Sequence, residues 1–159
     1  MSTISFKELK AGIVKLITSK TPVEVSGPPP EESSALDGMD MLTLSLDGVA
    51  VMLTHCAPVQ ADRVFLFCDF GDPPPELELA ALRRLMEMNF VMYRGNSPSF
   101  VRDPESGHVM LMSEVPMVIA TPEDVLAYMH SLSKQALDWR KTYFLPEDML
   151  VTPTAQTLV

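Results

Sequence analysis

Histidine and cysteine are side chains that often serve in proteins as general bases, nucleophiles or metal ligands. The three histidines, His55, His108 and His130, are widely separated and show no metal-ligand spacing. His55 and Cys56 are neighbours, but adjacent side chains of a strand point to opposite faces and cannot act together as base and nucleophile. These residues therefore predict neither a metal site nor a Cys–His catalytic pair.

Cys56 and Cys68 are the two cysteines of the sequence, and they form no C-x-x-C pair. If the turn between their strands centres on Val59-Gln60, they lie about five residues apart along the sheet. At about 3.3 Å per residue that separation is roughly 16 Å, which is too long for a disulfide. We expect two reduced thiols.

The carboxylates and glycines of this sequence also predict no catalytic or phosphate-binding site. Glu31-Glu32 follows three prolines, where both side chains would be solvated, and Glu76, Glu78 and Glu87 fit solubilising positions on a helix. The sequence has seven glycines and contains no phosphate-binding loop, GxSxG or HExxH motif. We therefore expect no enzyme, no catalytic residue, no metal and no cofactor.

The composition is that of an acidic and fairly apolar domain. The 12 Lys and Arg against 21 Asp and Glu give a net charge of −9, and 47% of the residues are hydrophobic. Phosphate backbones repel such an anion, so we expect no nucleic-acid partner. No apolar run approaches the roughly 18 residues of a membrane span, and Lys7, Glu8 and Lys10 interrupt any signal-peptide core, so we expect a cytoplasmic protein and no membrane partner.

Local signals predict the element order α-β-β-β-α-β-β-α. A capping box at Ser5 and Glu8 opens the first helix, which should end before Pro22. Asp47-Gly48 is a hairpin turn, and Thr121-Pro122 is the start of the last helix. Strands and helices are segregated, so the expected class is α+β with an antiparallel sheet flanked by helices.

The organisation expected from these elements is a single domain over residues 1–144. Residues 21–38 contain three consecutive prolines and little that could be buried, so we expect a mobile loop there. Residues 145–159 are rich in threonine with two prolines and read as a flexible tail.

Two opposite faces of the predicted sheet are both apolar. The turn at Asp47-Gly48 puts six apolar side chains of the first hairpin on one face, which we expect to be the core face. On the opposite face, here called the second face, the register joins Ala50, Met52, Phe65 and Phe67. A helix of the same chain could cover the second face, or a partner could.

The helix predicted over about residues 76–90 carries two apolar stripes instead of one. At 100° per residue, the first consists of Leu77, Ala81, Leu85 and Met88. The second consists of Leu79, Leu82, Met86 and Phe90. One stripe can face the core, and a twofold-related copy of the helix is an economical cover for the other. We assign the dimer interface to the first stripe; the alternative is a helix enclosed within the monomer.

The stretch over residues 73–117, PPPELELAALRRLMEMNFVMYRGNSPSFVRDPESGHVMLMSEVPM, resembles the class I type III secretion chaperones, the Tir-chaperone-like family. It combines a helix ending in Met-Asn-Phe, a small-residue turn, and two strands around an Asp-Pro-Glu-x-Gly loop. The last helix, ending near Leu137–Arg140, and the acidity and element order over residues 5–141 fit the same family.

The resemblance implies a cytoplasmic homodimer without ATPase activity, with much of the interface formed by the second helix. It also implies an effector partner, whose N-terminal region wraps around the dimer in extended form and stays soluble and export-competent. The second face is then the candidate effector-binding groove, and the secretion ATPase is a further candidate partner. The 21–38 loop and the tail depart from the family pattern.

Two other classes of protein remain open. A small ligand-binding α+β domain would need a closed pocket with convergent polar groups, and the sequence shows no obvious set. A non-catalytic regulatory subunit of a secretion system would also be acidic and dimeric.

Overall fold

The computed structural model describes residues 4–20, 38–93 and 98–146. Within these ranges it shows three helices and one five-stranded antiparallel sheet. The elements are α1 (Phe6–Lys20), β1 (Met39–Leu46), β2 (Val49–Cys56), β3 (Arg63–Gly71), α2 (Pro75–Met92), β4 (Ser99–Arg102), β5 (Val109–Pro116) and α3 (Pro122–Thr142). This confirms the predicted element order and the α+β class.

We expected two mobile segments, the 21–38 loop and the 145–159 tail. Residues 21–37 of the loop and 147–159 of the tail lie outside the described residues. Leu145, which we expected in the tail, is fully buried, and its carbonyl accepts a 3.0 Å hydrogen bond from Arg84 Nε. The packed part of the chain therefore extends beyond the predicted boundary at residue 144.

The first three strands have the register that the sequence predicts. Asp47 and Gly48 have φ angles of 53° and 79°, which suit the hairpin turn that matches the twist of the strands. Val51 pairs with Cys68, as a turn centred on Val59-Gln60 requires. The strand order is β1-β2-β3-β5-β4, so β5 pairs with the central strand β3 and β4 lies at an edge.

The core lies on one face of the sheet and includes side chains from all three helices. Its centre contains Trp139 of α3, which is 1% exposed and packs against Phe70 and Tyr143. Helix α1 packs on α3, and a Cβ at Gly12 would lie only 2.4 Å from Pro122 Cγ. Glycine at position 12 therefore permits this close approach.

Both predicted helix starts have their capping hydrogen bonds. The Ser5 backbone N–H donates to Glu8 Oε2 at 2.9 Å, and the Glu8 N–H donates to Ser5 Oγ at 3.3 Å. The hydrogen bonds from Ser5 hold the pKa of the exposed Glu8 carboxyl below its usual value. Thr121 Oγ1 accepts a hydrogen bond from the Asp124 N–H at 3.2 Å, as expected of an N-cap.

Both cysteines are free thiols, which confirms the prediction from the register. Burial, reinforced by the charge of Asp69, raises the pKa of the Cys68 thiol to about 12, whereas Cys56 is partly exposed. Because the thiolate is the reactive species, a disulfide reagent such as DTNB should modify Cys56 in the native protein and leave Cys68 intact. Titration should count one thiol in buffer and two in denaturant. Rapid modification of both thiols in buffer would contradict the burial of Cys68.

Candidate functional site

The second face of the sheet is a continuous apolar surface that lies opposite the core. Its large apolar side chains include Met41, Met52, Phe65, Phe67, Met110 and Met112. All six are half-buried, and none belongs to the core cluster or to the side chains packed against it. Among the described residues, those apolar helix side chains that are buried lie in the core, on the other side of the sheet.

One row of the second face crosses all five strands. It consists of Thr43, Met52, Phe67, Met112 and Ser99, in register from β1 to β4. Neighbouring strands lie about 4.8 Å apart, so Phe67 stands between two methionines near the middle of the sheet. Thioether–aromatic contacts of this kind are favourable.

The four residues predicted to bind an effector share this face, as the register implies. Met52 pairs directly with Phe67, Phe65 lies one row away, and Ala50 is exposed near the β1–β2 turn. That an effector binds there stays a prediction. Sequence reasoning missed Met110 and Met112, because it did not pair β5 with β3. The Met-x-Met spacing in β5 would have placed both side chains on one face once that pairing was known.

Charged side chains close both ends of the apolar area on the second face. Near the start of β3, Arg63 Nη1 donates to Glu114 Oε2 at 2.6 Å. Near its end, His108 Nδ1 lies 3.0 Å from Asp69 Oδ1. Each carboxylate has a partner in the same chain, so the area between them offers contacts to apolar groups and little unpaired charge.

Helix α2 carries a second apolar surface, but not on the stripe that we assigned to the dimer interface. That stripe is Leu77, Ala81, Leu85 and Met88. The last three are at most 3% exposed and pack in the core of their own chain, so they are not available to a second copy. The opposite stripe is open and contains Leu79, Met86 and Phe90, which are 64%, 73% and 84% exposed. The dimer interface stays a prediction, and the exposed stripe is the apolar surface of α2 that a second copy could reach.

The two edges of the sheet differ in their access to another strand. At the β4 edge, the side chain of Asn89 in α2 makes the two hydrogen bonds to Phe100 that a neighbouring strand would make. Its Nδ2 donates to the Phe100 carbonyl at 3.0 Å, and its Oδ1 accepts from the Phe100 N–H at 2.8 Å. At the other edge, β1 has a strand neighbour on one side only, within the described part of the chain. β1 is therefore the edge that can accept an added strand.

Side chains with catalytic potential do not converge in the described ranges. His55 stacks on Phe6 with ring centroids 5.3 Å apart, His108 pairs with Asp69, and His130 is exposed on α3. Residues 4–20, 38–93 and 98–146 contain no group of three or more His, Cys, Asp or Glu side chains that could hold a metal. In the same ranges, no helix is long and apolar enough to span a membrane.

The fold is similar to chains in two solved complexes. One is the crystal structure of the ExsC–ExsE complex, with a TM-score of 0.63 and 19% identity over 88% of this chain and 97% of that chain. The other is the ExoT–SpcS complex from Pseudomonas aeruginosa, with a TM-score of 0.44 and 18% identity over 84% of this chain and 91% of that chain. The first likeness shows a shared α+β fold. None of the curated proteins matches the sequence.

The class of protein that the family model defines is the type III secretion chaperones, whose members bind effectors. The profile of the Tir chaperone protein (CesT) family matches residues 32–140. The chain belongs to this family, which confirms the resemblance and favours a chaperone over the two other classes that the sequence left open.

Proposed function

We propose that this chaperone holds the N-terminal region of a secreted effector in extended form and keeps it soluble and export-competent without ATP. The observation that best supports the proposal is the methionine- and phenylalanine-lined second face. It lies beside an edge of β1 that has no strand neighbour among the described residues. An extended segment can pair part of its backbone with β1 and then continue across the second face, where its apolar side chains contact Met52, Phe67 and Met112.

The energy of apolar burial is sufficient for such binding without nucleotide hydrolysis. A micromolar complex needs about 8 kcal/mol, and association costs several kcal/mol more. Each large apolar side chain that becomes buried contributes about 1.5–3 kcal/mol, so roughly six to eight anchors are required. At one anchor in every second residue, a segment of about 15 residues supplies them.

We also propose that two copies of the chain associate through the exposed stripe of α2. Leu79, Met86 and Phe90 form an apolar strip along one side of the helix, and water-exposed strips of this size usually mark an interface. Since effector binding precedes export, the proposed location is the bacterial cytoplasm. The secretion ATPase is a further proposed partner, which would act at the release of the effector.

Co-expression with effector fragments tests this function. The probe is the N-terminal region of a secreted effector from the same organism, and the control is the globular remainder of the same effector. The N-terminal fragment should co-purify in nucleotide-free buffer, and its NMR shifts in the complex should be those of extended chain. A fragment that binds as a folded domain, or only with ATP present, would contradict the proposal.

A further inference from the structure

The lysines of this chain are confined to two of its three helices. All six belong to α1 or α3: Lys7, Lys10, Lys15, Lys20, Lys134 and Lys141. Helix propensity does not account for this, because α2 has 18 residues and its only cations are arginines. Together α1 and α3 contain seven cations and four anions, a net charge of +3, whereas the other residues contain five cations and 17 anions, a net charge of −12. The charge of this acidic protein is therefore divided between two parts of the fold.

The exposed lysines of α1 and α3 lie on the side of each helix that faces away from the sheet. Each helix buries its apolar stripe in the core, and α1 packs on α3, so the outer sides of the two helices are neighbours. The exposed residues at helical spacing on these outer sides, here called the lysine surface, include Lys7, Ala11, Lys15, Ala127, Lys134 and Lys141. The lysine surface therefore lies opposite the second face.

The four acidic residues of α1 and α3 have roles within the helices themselves. Three lie in first turns, where the positive end of the helix dipole attracts a carboxylate: Glu8, Glu123 and Asp124. The fourth, Asp138, accepts a 2.6 Å hydrogen bond from Lys141. No carboxylate occurs from residue 9 to residue 20 or from residue 125 to residue 137. The middle of each helix therefore has cations without acidic neighbours in the same helix.

The stability of the helices does not explain the exposed lysines. Lys7 lies in the first turn of α1, where the helix dipole disfavours a cation. Lys15 and Lys134 are exposed, and neither takes part in a salt bridge within the described part of the chain. Lys10 differs from them, because it binds Asp40 of β1 at 2.7 Å. An exposed lysine without a partner adds little to the free energy of folding, so a role in binding accounts better for these positions.

We propose that the lysine surface binds an acidic segment of another protein. Charge complementarity supports this occupant, because carboxylates on such a segment would supply the counter-charges that α1 and α3 lack. An anionic membrane fits less well, since an extended lipid surface would also meet the acidic remainder of the chain, whose net charge is −12. The inference goes beyond the proposed function: an acidic partner on the lysine surface and an effector on the second face could be bound at the same time.

An acidic peptide tests the proposal by NMR. The probe is a peptide of about 16 residues that repeats Glu-Glu-Ser-Gly, added to the ¹⁵N-labelled full chain. The shifted backbone amide signals should be confined to α1 and α3, around Ala11 and Ala127, and the Kd should rise at least about fivefold between about 50 and 200 mM NaCl. The triple variant Lys7→Glu, Lys15→Glu, Lys134→Glu should lose at least about tenfold in affinity. Arginine at the same three positions keeps the charge and should keep the affinity.

Three results would overturn the inference. One is a peptide that shifts signals of the second face instead, or that binds the folded triple Glu variant as tightly as the wild type. Another is co-flotation of the wild type with phosphatidylglycerol-containing vesicles when the peptide does not bind, which would assign the lysine surface to a membrane. The third is loss of effector binding by the triple Glu variant, which would place the lysines in the effector site.

The proposed function has a separate readout in the same experiment. The wild type and the triple Glu variant should bind the N-terminal effector fragment equally, because the lysine surface and the second face lie on opposite sides of the sheet. If neither protein binds the fragment while the peptide still binds at α1 and α3, the proposed function fails and this inference stands. Circular dichroism confirms that both triple variants are folded.

Discussion

Phe90→Asp should convert a homodimer into a folded monomer. Phe90 is 84% exposed in the single chain, so its substitution costs the fold little. A twofold interface buries two copies of Phe90, and each contributes about 1.5–3 kcal/mol. The substitution therefore removes about 3–6 kcal/mol of association free energy. That loss raises the dimer Kd by about two to four orders of magnitude. Sedimentation velocity over a micromolar concentration series measures the change.

Two further variants of α2 show whether the effect belongs to the exposed stripe. Ala80→Glu, at an exposed position about 80° around the helix from Phe90, should remain dimeric and folded. Leu85→Arg should instead unfold the chain, because Leu85 is 3% exposed and an unpaired charge in the core is strongly destabilising. A wild type that sediments as a monomer at micromolar concentration, or a Phe90→Asp protein that stays dimeric, would show that this stripe is not the interface.

Phe67→Asp should abolish effector binding and leave the dimer folded. Phe67 lies between Met52 and Met112 in the central row, and it is half-buried outside the core cluster. The substitution removes an anchor contact of about 1.5–3 kcal/mol and sets a charge against an apolar ligand, so we expect a loss of at least about a hundredfold in affinity. Phe65→Asp and Met52→Asp should act in the same direction.

Leu66→Asp is the matched control, because Leu66 is the next residue along β3 and faces the core with 0% exposure. It should unfold the protein, whereas Phe67→Asp should keep the wild-type circular dichroism spectrum. Anisotropy with a labelled effector fragment then reports binding by the folded variants. Wild-type affinity in a folded Phe67→Asp protein would place the effector site elsewhere, and unfolding of that variant would make Phe67 a core residue.

Turn residues in the sequence determine how the first three strands pair. Asp47-Gly48 fixes a two-residue turn, and a shift of one residue would expose Leu44 and Val51, so only one pairing buries them. The same logic, extended through a turn at Val59-Gln60, placed Met52 and Phe67 side by side. The second face could therefore be predicted before the structure was known.

Long-range packing decided the features that the sequence did not settle. The two stripes of α2 are equally apolar, and only the position of the helix against β4 and the core buries Leu85 in place of Met86. Nothing local indicates that β5 pairs with β3, so Met110 and Met112 were not assigned to the second face. Leu145 follows a helix and precedes a proline, as tail residues often do, yet it is buried and hydrogen-bonded to α2 through Arg84.

Methyl NMR of methionine tests most directly the claim that an extended effector segment lies on the second face. With ¹³C-methyl methionine in the chaperone and an unlabelled N-terminal effector fragment, each methyl group reports its own position. We predict that binding shifts the signals of Met41, Met52, Met110 and Met112 and leaves those of the core residues Met88 and Met129 in place. A stable complex in which the four second-face signals do not move would contradict the account.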